Sequence, residues 1–209
     1  MGSHGGATSE GQIRVLKSLG ITPETVGAPI HASMEVQEIG RLENEVPVYV
    51  DKVALESDGI IVVNRVKPHT EFKDRIESGL MKMMAIGLGK QKGAETIHRY
   101  EGYHKLIPMA ARLIIEKAPI LMGLAIVENA RHEIAIIKAL EPEKIEEGEA
   151  KLLEKAKRLM ARLPFKEIDV LIVEEMGKNI SGVGMDTNVI GRIGMLMPDE
   201  VDPLAPKIK

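Results

Sequence analysis

Four side chains in this 209-residue chain stand where residue type and spacing could do chemistry: His4, His69, Lys82 and His98. His69 follows Pro68 at the end of the apolar run Gly59-Ile60-Ile61-Val62-Val63-Asn64. Proline fixes its own φ and has no N–H, so the run ends there and His69 is presented just beyond it. Lys82 closes the segment Ser78-Gly79-Leu80-Met81-Lys82 and is followed by Met83 and Met84. A lysine among apolar neighbours either snorkels to water or is desolvated, and desolvation lowers its pKa and frees the amine as a nucleophile. His98 lies sixteen residues beyond Lys82, and His4 sits in the glycine-rich stretch Gly2 to Gly6, ahead of a helix start. Imidazoles with an ordinary pKa near 6.5 can give or take a proton at neutral pH, or ligate a metal. No two of these histidines are spaced i, i+4, so there is no local zinc motif. His31 has no partner pattern and reads as surface, as does His104 on the solvated face of a helix.

These residues need elements to hold them. Gly59 to Asn64 is short, β-branched and bounded by turn residues, which predicts a buried strand. Ser78 to Leu88 predicts an apolar helix, ended by the loop Gly87 to Gly93; that loop resembles a phosphate cradle but lacks the Walker spacing. Ser9 and Gln12 stand at capping-box spacing before the stripe Ile13, Leu16, Leu19. Further strands are predicted at His31 to Ile39, Pro47 to Val50, Ile120 to Val127 and Ile168 to Val173, with Glu133 to Leu140 returning antiparallel. Helices are predicted at Lys105 to Lys117 and from Pro142 to about Leu163. The alternation implies an α/β fold, a mostly parallel, Rossmann-like sheet flanked by helices. Residues 1–165 read as a cofactor-binding domain, 166–209 as the start of a second domain and a linker.

Composition bounds the function. Hydrophobic residues make up 44% of the chain and aromatics 2%, so the core must be aliphatic. A net charge of −3 gives no reason to expect a nucleic-acid partner. With no cysteine, disulfides, thiolate metal sites and iron–sulfur clusters are excluded. No run of eighteen apolar residues and no basic-then-apolar leader is present, which predicts a cytoplasmic protein without a membrane partner.

Pro68-His69, the lysine segment 78–82, His98 and the stretch Gly2-Ser3-His4 with Thr8 and Glu10 together resemble the nickel-dependent lactate racemase family, whose members carry a nickel pincer nucleotide. The resemblance is nearer to the uncharacterised racemase-domain branch; Leu80 and Met81 replace a Gly and an Ala of the family's lysine segment. It implies a racemase or epimerase of a small 2-hydroxy acid, working by hydride transfer. In that scheme His4 and His69 are the opposed acid–bases and Lys82 tethers the cofactor, contacted by Ser78 and Gly79. His98 is then the metal ligand and Lys178 holds the substrate carboxylate. Cofactor-maturation enzymes would be partners. Family members are longer, so the resemblance also implies a middle fragment, inactive alone, with an exposed apolar patch that favours a homodimer. The alternatives are a non-catalytic or cofactor-free homologue, nucleotide-binding at most, and a hydrolase using His69 with Asp74.

Overall fold

The structure is a computed structural model describing residues 2, 4–177, 180–191 and 205–208. The first elements are α1 (Ser9–Ser18) and α2 (Pro23–Val26), then β1 (Val36–Arg41), β2 (Pro47–Asp51), α3 (Lys52–Leu55) and β3 (Ile60–Arg65). They are followed by α4 (Leu80–Lys82), which opens into the π-helical stretch Met83–Leu88, then α5 (Lys90–His98) and α6 (Tyr103–Lys117). The chain continues through β4 (Ile120–Glu128), β5 (Ile134–Leu140), α7 (Ile145–Leu159), β6 (Glu167–Ile168), α8 (Thr187–Ile190) and β7 (Lys207–Ile208).

The α/β class holds, but among the described residues the sheets are mixed rather than mostly parallel. β3 and β4 pair in parallel, β5 runs antiparallel to β4, β1 and β2 form an antiparallel ribbon, and β6 pairs in parallel with β7. The one parallel connection within the three-stranded sheet, from β3 to β4, contains α4, α5 and α6, and with them His69, Lys82 and His98.

The core lies between that sheet and the helices. Val62, Gly123, Ala125, Val127 and Leu140 face it and meet Leu80, Met84, Ala110, Ile114, Ile145 and Leu153. A Cβ on Gly123 would sit 2.6 Å from a Leu80 methyl, so the glycine lets α4 press onto the sheet. The other face is open: Ile61 and Val63 are about half exposed. Periodicity reports apolar content, and a sheet covered on one side buries only alternate residues.

Two more expectations change. The run Ile168 to Val173 is not a buried strand: β6 ends at Ile168, and Val170 and Ile172 are 75% and 85% exposed. An apolar run is buried only where a neighbour covers it, and sequence pattern does not supply the neighbour. The stretch Gly87 to Gly93 is helical through most of its length, with a kink at Lys90 (φ +53°), rather than a loop that ends the helix. No helix among the described residues is long and apolar enough to cross a membrane.

Candidate active site

The site is built on a loop closed upon itself. Past β3, Lys67 and Ser78 pair across an antiparallel bridge through two backbone hydrogen bonds of 2.9 and 3.3 Å, so residues 68–77 form a ring. Pro68 and the buried Phe72 and Ile76 fasten that ring to the core. Its far side is held by α8: Thr187 Oγ1 donates to the Thr70 carbonyl at 2.6 Å, and Asn188 Nδ2 donates to the His69 carbonyl at 3.1 Å.

Ser78 and Gly79 lead straight into α4. The carboxylate of Glu149, from α7, lies against Gly79 and accepts the Met81 N–H at 2.9 Å, capping the helix start. A Cβ on Gly79 would come 2.4–2.7 Å from that carboxylate, so a side chain there would push the Glu149 cap aside. Asn64, at the end of β3, donates to the Gly79 carbonyl at 2.8 Å. Lys82 is thus placed one turn into a helix gripped at its first peptide.

Lys82 Nζ meets His69 Nε2 at 2.6 Å. The other ring nitrogen of His69 accepts the Glu71 backbone N–H at 3.1 Å. A neutral imidazole whose Nδ1 accepts carries its proton on Nε2, a tautomer assigned here from its partners. Nε2–H then donates to Nζ, which can accept only as a free amine. The electrostatics agree in direction. Burial pushes the Lys82 ammonium below its ordinary pKa, with Lys67 adding to the shift and Glu71 opposing it. His69 is pushed down to about 3, first by burial and then by Lys82, Lys73, Lys67 and His98.

His98 belongs to the same neighbourhood. Burial lowers its pKa first and Lys82 second, while Glu71 and the Ala94 backbone oppose. Its ring meets Tyr103 edge-on at 4.8 Å, and the Tyr103 hydroxyl donates to Glu71 Oε2 at 3.3 Å. The Tyr103 phenol is pushed up to about 12 by burial and by Glu71. Phe72 stacks on His69 at 4.1 Å and on His104 at 5.2 Å, so His104 lines the back of the site rather than a solvated face.

The chain superposes on the lactate racemase apoprotein of Thermoanaerobacterium thermosaccharolyticum with a TM-score of 0.56 and 17% identity, covering 75% of this chain and 40% of that one. It has a lactate racemase-like fold. At that identity the likeness concerns the fold alone, and the chain spans about two fifths of the other protein's length. No family model matches the chain, and no curated protein matches it either.

Of the residues singled out in the sequence, the structure brings His69, Lys82 and His98 together, with Ser78 and Gly79 as the backbone that delivers the lysine. His4 is exposed and precedes the short turn Gly5–Ala7. Its segment is pinned to the end of the π-helical stretch, where the Gly2 N–H donates to the Gly87 carbonyl at 3.2 Å. Lys178 lies outside the described residues. Sequence reading missed Glu71, Phe72, Tyr103 and Glu149. Only the density of polar residues around one of the chain's two phenylalanines hinted at the loop.

The donor set suits a lysine-linked group carrying a metal. A free, desolvated amine can form an amide-type bond without first losing a proton, and His98 offers one imidazole beside it. Among the described residues no three His, Asp or Glu side chains converge to hold a metal ion. A metal beside His98 would need donors from outside the protein side chains described.

Proposed function

We propose that this chain carries the tether side of a racemase- or epimerase-type centre acting on a small 2-hydroxy acid. The observation that supports it most is the 2.6 Å contact between Lys82 and His69, with proton positions that leave Lys82 a free amine beside His98. In this reading Lys82 anchors a nickel pincer nucleotide against Ser78 and Gly79, and His98 is its protein ligand. When bound, the nucleotide would supply the hydride acceptor.

The chain's own residues do the rest. His69, as base, would take the substrate hydroxyl proton on its unprotonated ring nitrogen and later give it back, and His4 is assigned the same task for the other enantiomer. Two bases are needed because the enantiomers present their hydroxyls in different directions. Lys178 is assigned the substrate carboxylate. With a pKa near 3 His69 is a weak base as it stands. Acylation of Lys82 converts the amine to a neutral amide-type nitrogen and so removes the second-largest cause of that depression, bringing His69 nearer its working range.

A second reading, a cofactor-free and non-catalytic homologue, draws on the chain's covering only 40% of the racemase. One experiment separates the two: intact mass and turnover of protein made in cells that also make the pincer. An adduct located on Lys82 is expected. In that protein His98→Ala should lose nickel, while His69→Ala and His4→Ala keep nickel and lose turnover. An unmodified Lys82 under those conditions favours the second reading.

A further inference from the structure

Glu77 is wholly buried at the edge of the site, and nothing in the proposed reaction calls for it. An isolated carboxylate is not buried without a large desolvation cost, so its partners say what it is for. Its Oε2 accepts the His69 backbone N–H at 2.6 Å. Its Oε1 lies 3.1 Å from Lys157 Nζ of α7, an ion-pair contact rather than a directed hydrogen bond. Lys73 Nζ stands 3.9 Å from Oε2 and donates to the His69 carbonyl at 2.8 Å. Asn188 Nδ2 donates to that same carbonyl, and Lys73 also bonds the Asn188 side-chain oxygen.

Both backbone polar groups of His69 are therefore held by buried or half-buried side chains from two places, the ring itself and α8, while Lys157 of α7 pairs with Glu77 behind them. Pro68 has no N–H to contribute, which makes the His69 N–H the first donor inside the ring. The Lys67–Ser78 bridge sets Glu77 opposite that donor.

We infer that Glu77 is a positioning residue: with Lys73 and Asn188 it clamps the His69 peptide so that the imidazole keeps one tautomer and one direction, with Nε2–H aimed at Lys82. Its consequence for turnover rests on the function proposed above, but the clamp itself exists without any cofactor.

The test is made on the unloaded chain with nitrogen-15-labelled histidine. In the wild type the His69 ring should show a single neutral form protonated at Nε2. Glu77→Gln keeps an acceptor oxygen at the same place and should retain that signature. Glu77→Ala should lose it, giving a mixture of the two neutral forms at His69 while the signals of the distant His31 stay unchanged. Because Glu77→Ala leaves Lys157 with the exposed Glu154 alone as its partner, the double variant Glu77→Ala/Lys157→Met carries the same test if the single one does not fold. A wild-type His69 signature in the alanine variant, single or double, overturns the proposal and leaves Glu77 a brace for the fold only. In protein loaded with the cofactor, Glu77→Ala should lower kcat about 100-fold with KM little changed, the scale of a roughly 1 Å misplacement. If the loaded wild type proves inactive, the proposed function falls, and the ring spectra still decide the clamp.

Discussion

Two lysines eight residues apart, the second at a helix kink, are both taken out of water and end in opposite chemical conditions. Lys90, only 7% exposed, is given a carboxylate: its ammonium pairs with Asp51 Oδ2 at 2.7 Å, with Gln12 Oε1 at 3.5 Å. Lys82 is given an imidazole that already has its proton directed at it, with Lys67 nearby and only Glu71 to offset them. Burial alone therefore does not make a lysine reactive. The partner decides, and here the partners are chosen by backbone turns rather than by the helix. The first pair ties the amino-terminal arm to β2, through Gln12 and its hydrogen bond to the Gly2 carbonyl at 3.0 Å. The second leaves its amine facing an imidazole, the arrangement the proposed tether would use.

Breaking the Lys90 side of the comparison should give the largest effect. Asp51→Ala leaves a buried ammonium with one long hydrogen bond, and removing one partner of a buried pair costs about 3–5 kcal/mol. Urea unfolding at pH 7 checks it, and a loss below about 1 kcal/mol would mean the pair is solvated in solution. The same variant should loosen the segment around His4, seen as faster amide exchange at Gly2 and Gln12, while the exchange of the Met81 amide is little affected.

Next in size is the cap that holds the Lys82 helix. Glu149 is 1% exposed and its carboxyl is pushed up to about 7, chiefly by burial and against the hydrogen bonds from Met81 and Leu80. Its ordinary value is 4.5, so the unfolded chain releases this proton first as pH rises. Stability from this group is complete below pH 4.5 and is lost as pH climbs to about 7, a loss on the order of 3 kcal/mol. Glu149→Gln keeps an acceptor for the helix N–H groups and carries no charge. It should match the wild type at pH 4.5 and exceed it at pH 8, by unfolding measured at both. Equal slopes for the two proteins across that range would place the carboxyl in contact with water.

How much of this was legible beforehand follows the same division. Pro68-His69 and Lys82 could be read because their signals are local: a proline that ends a strand, a cation set in an apolar run. β4, its antiparallel return in β5 and the helix α6 were equally plain from alternation and periodicity. What positions Lys82 and His69 was not local. Glu149 is 67 residues past Lys82 and reaches Gly79 only because α7 folds back over α4. Asn188 lies beyond the three-stranded sheet altogether and still grips His69. The apolar run Ile168 to Val173 failed for a related reason, since its strand-like pattern does not say whether another strand lies beside it. Ser9 and Gln12 show the limit at small scale: the cap of α1 is Thr8, whose hydroxyl accepts the Gly11 N–H at 3.0 Å, and Gln12 turns inward to Lys90 instead.

The smallest change in stability, and the finest probe of the comparison, is expected from Lys82→Met. The substitution removes one hydrogen bond, worth about 1 kcal/mol net, and relieves the burial of an amine, so unfolding should move by no more than about 1 kcal/mol. Its effect on His69 should be plain. Burial, the main cause of the depressed imidazole pKa, stays in place; Lys82, the second, is gone. The His69 pKa should therefore rise above about 3 and remain below 6.5. Because a base with a depressed folded pKa loses stability as pH falls from its unfolded value toward its folded one, the acid window of instability should narrow from its lower end. Histidine ring shifts followed from pH 7 downward check this directly. An unchanged His69 titration would show that Lys82 exerts no charge on the ring over that range. The pairing of free amine with Nε2–H would then have to hold well into acid, making Lys82 more strongly depressed than its burial alone requires.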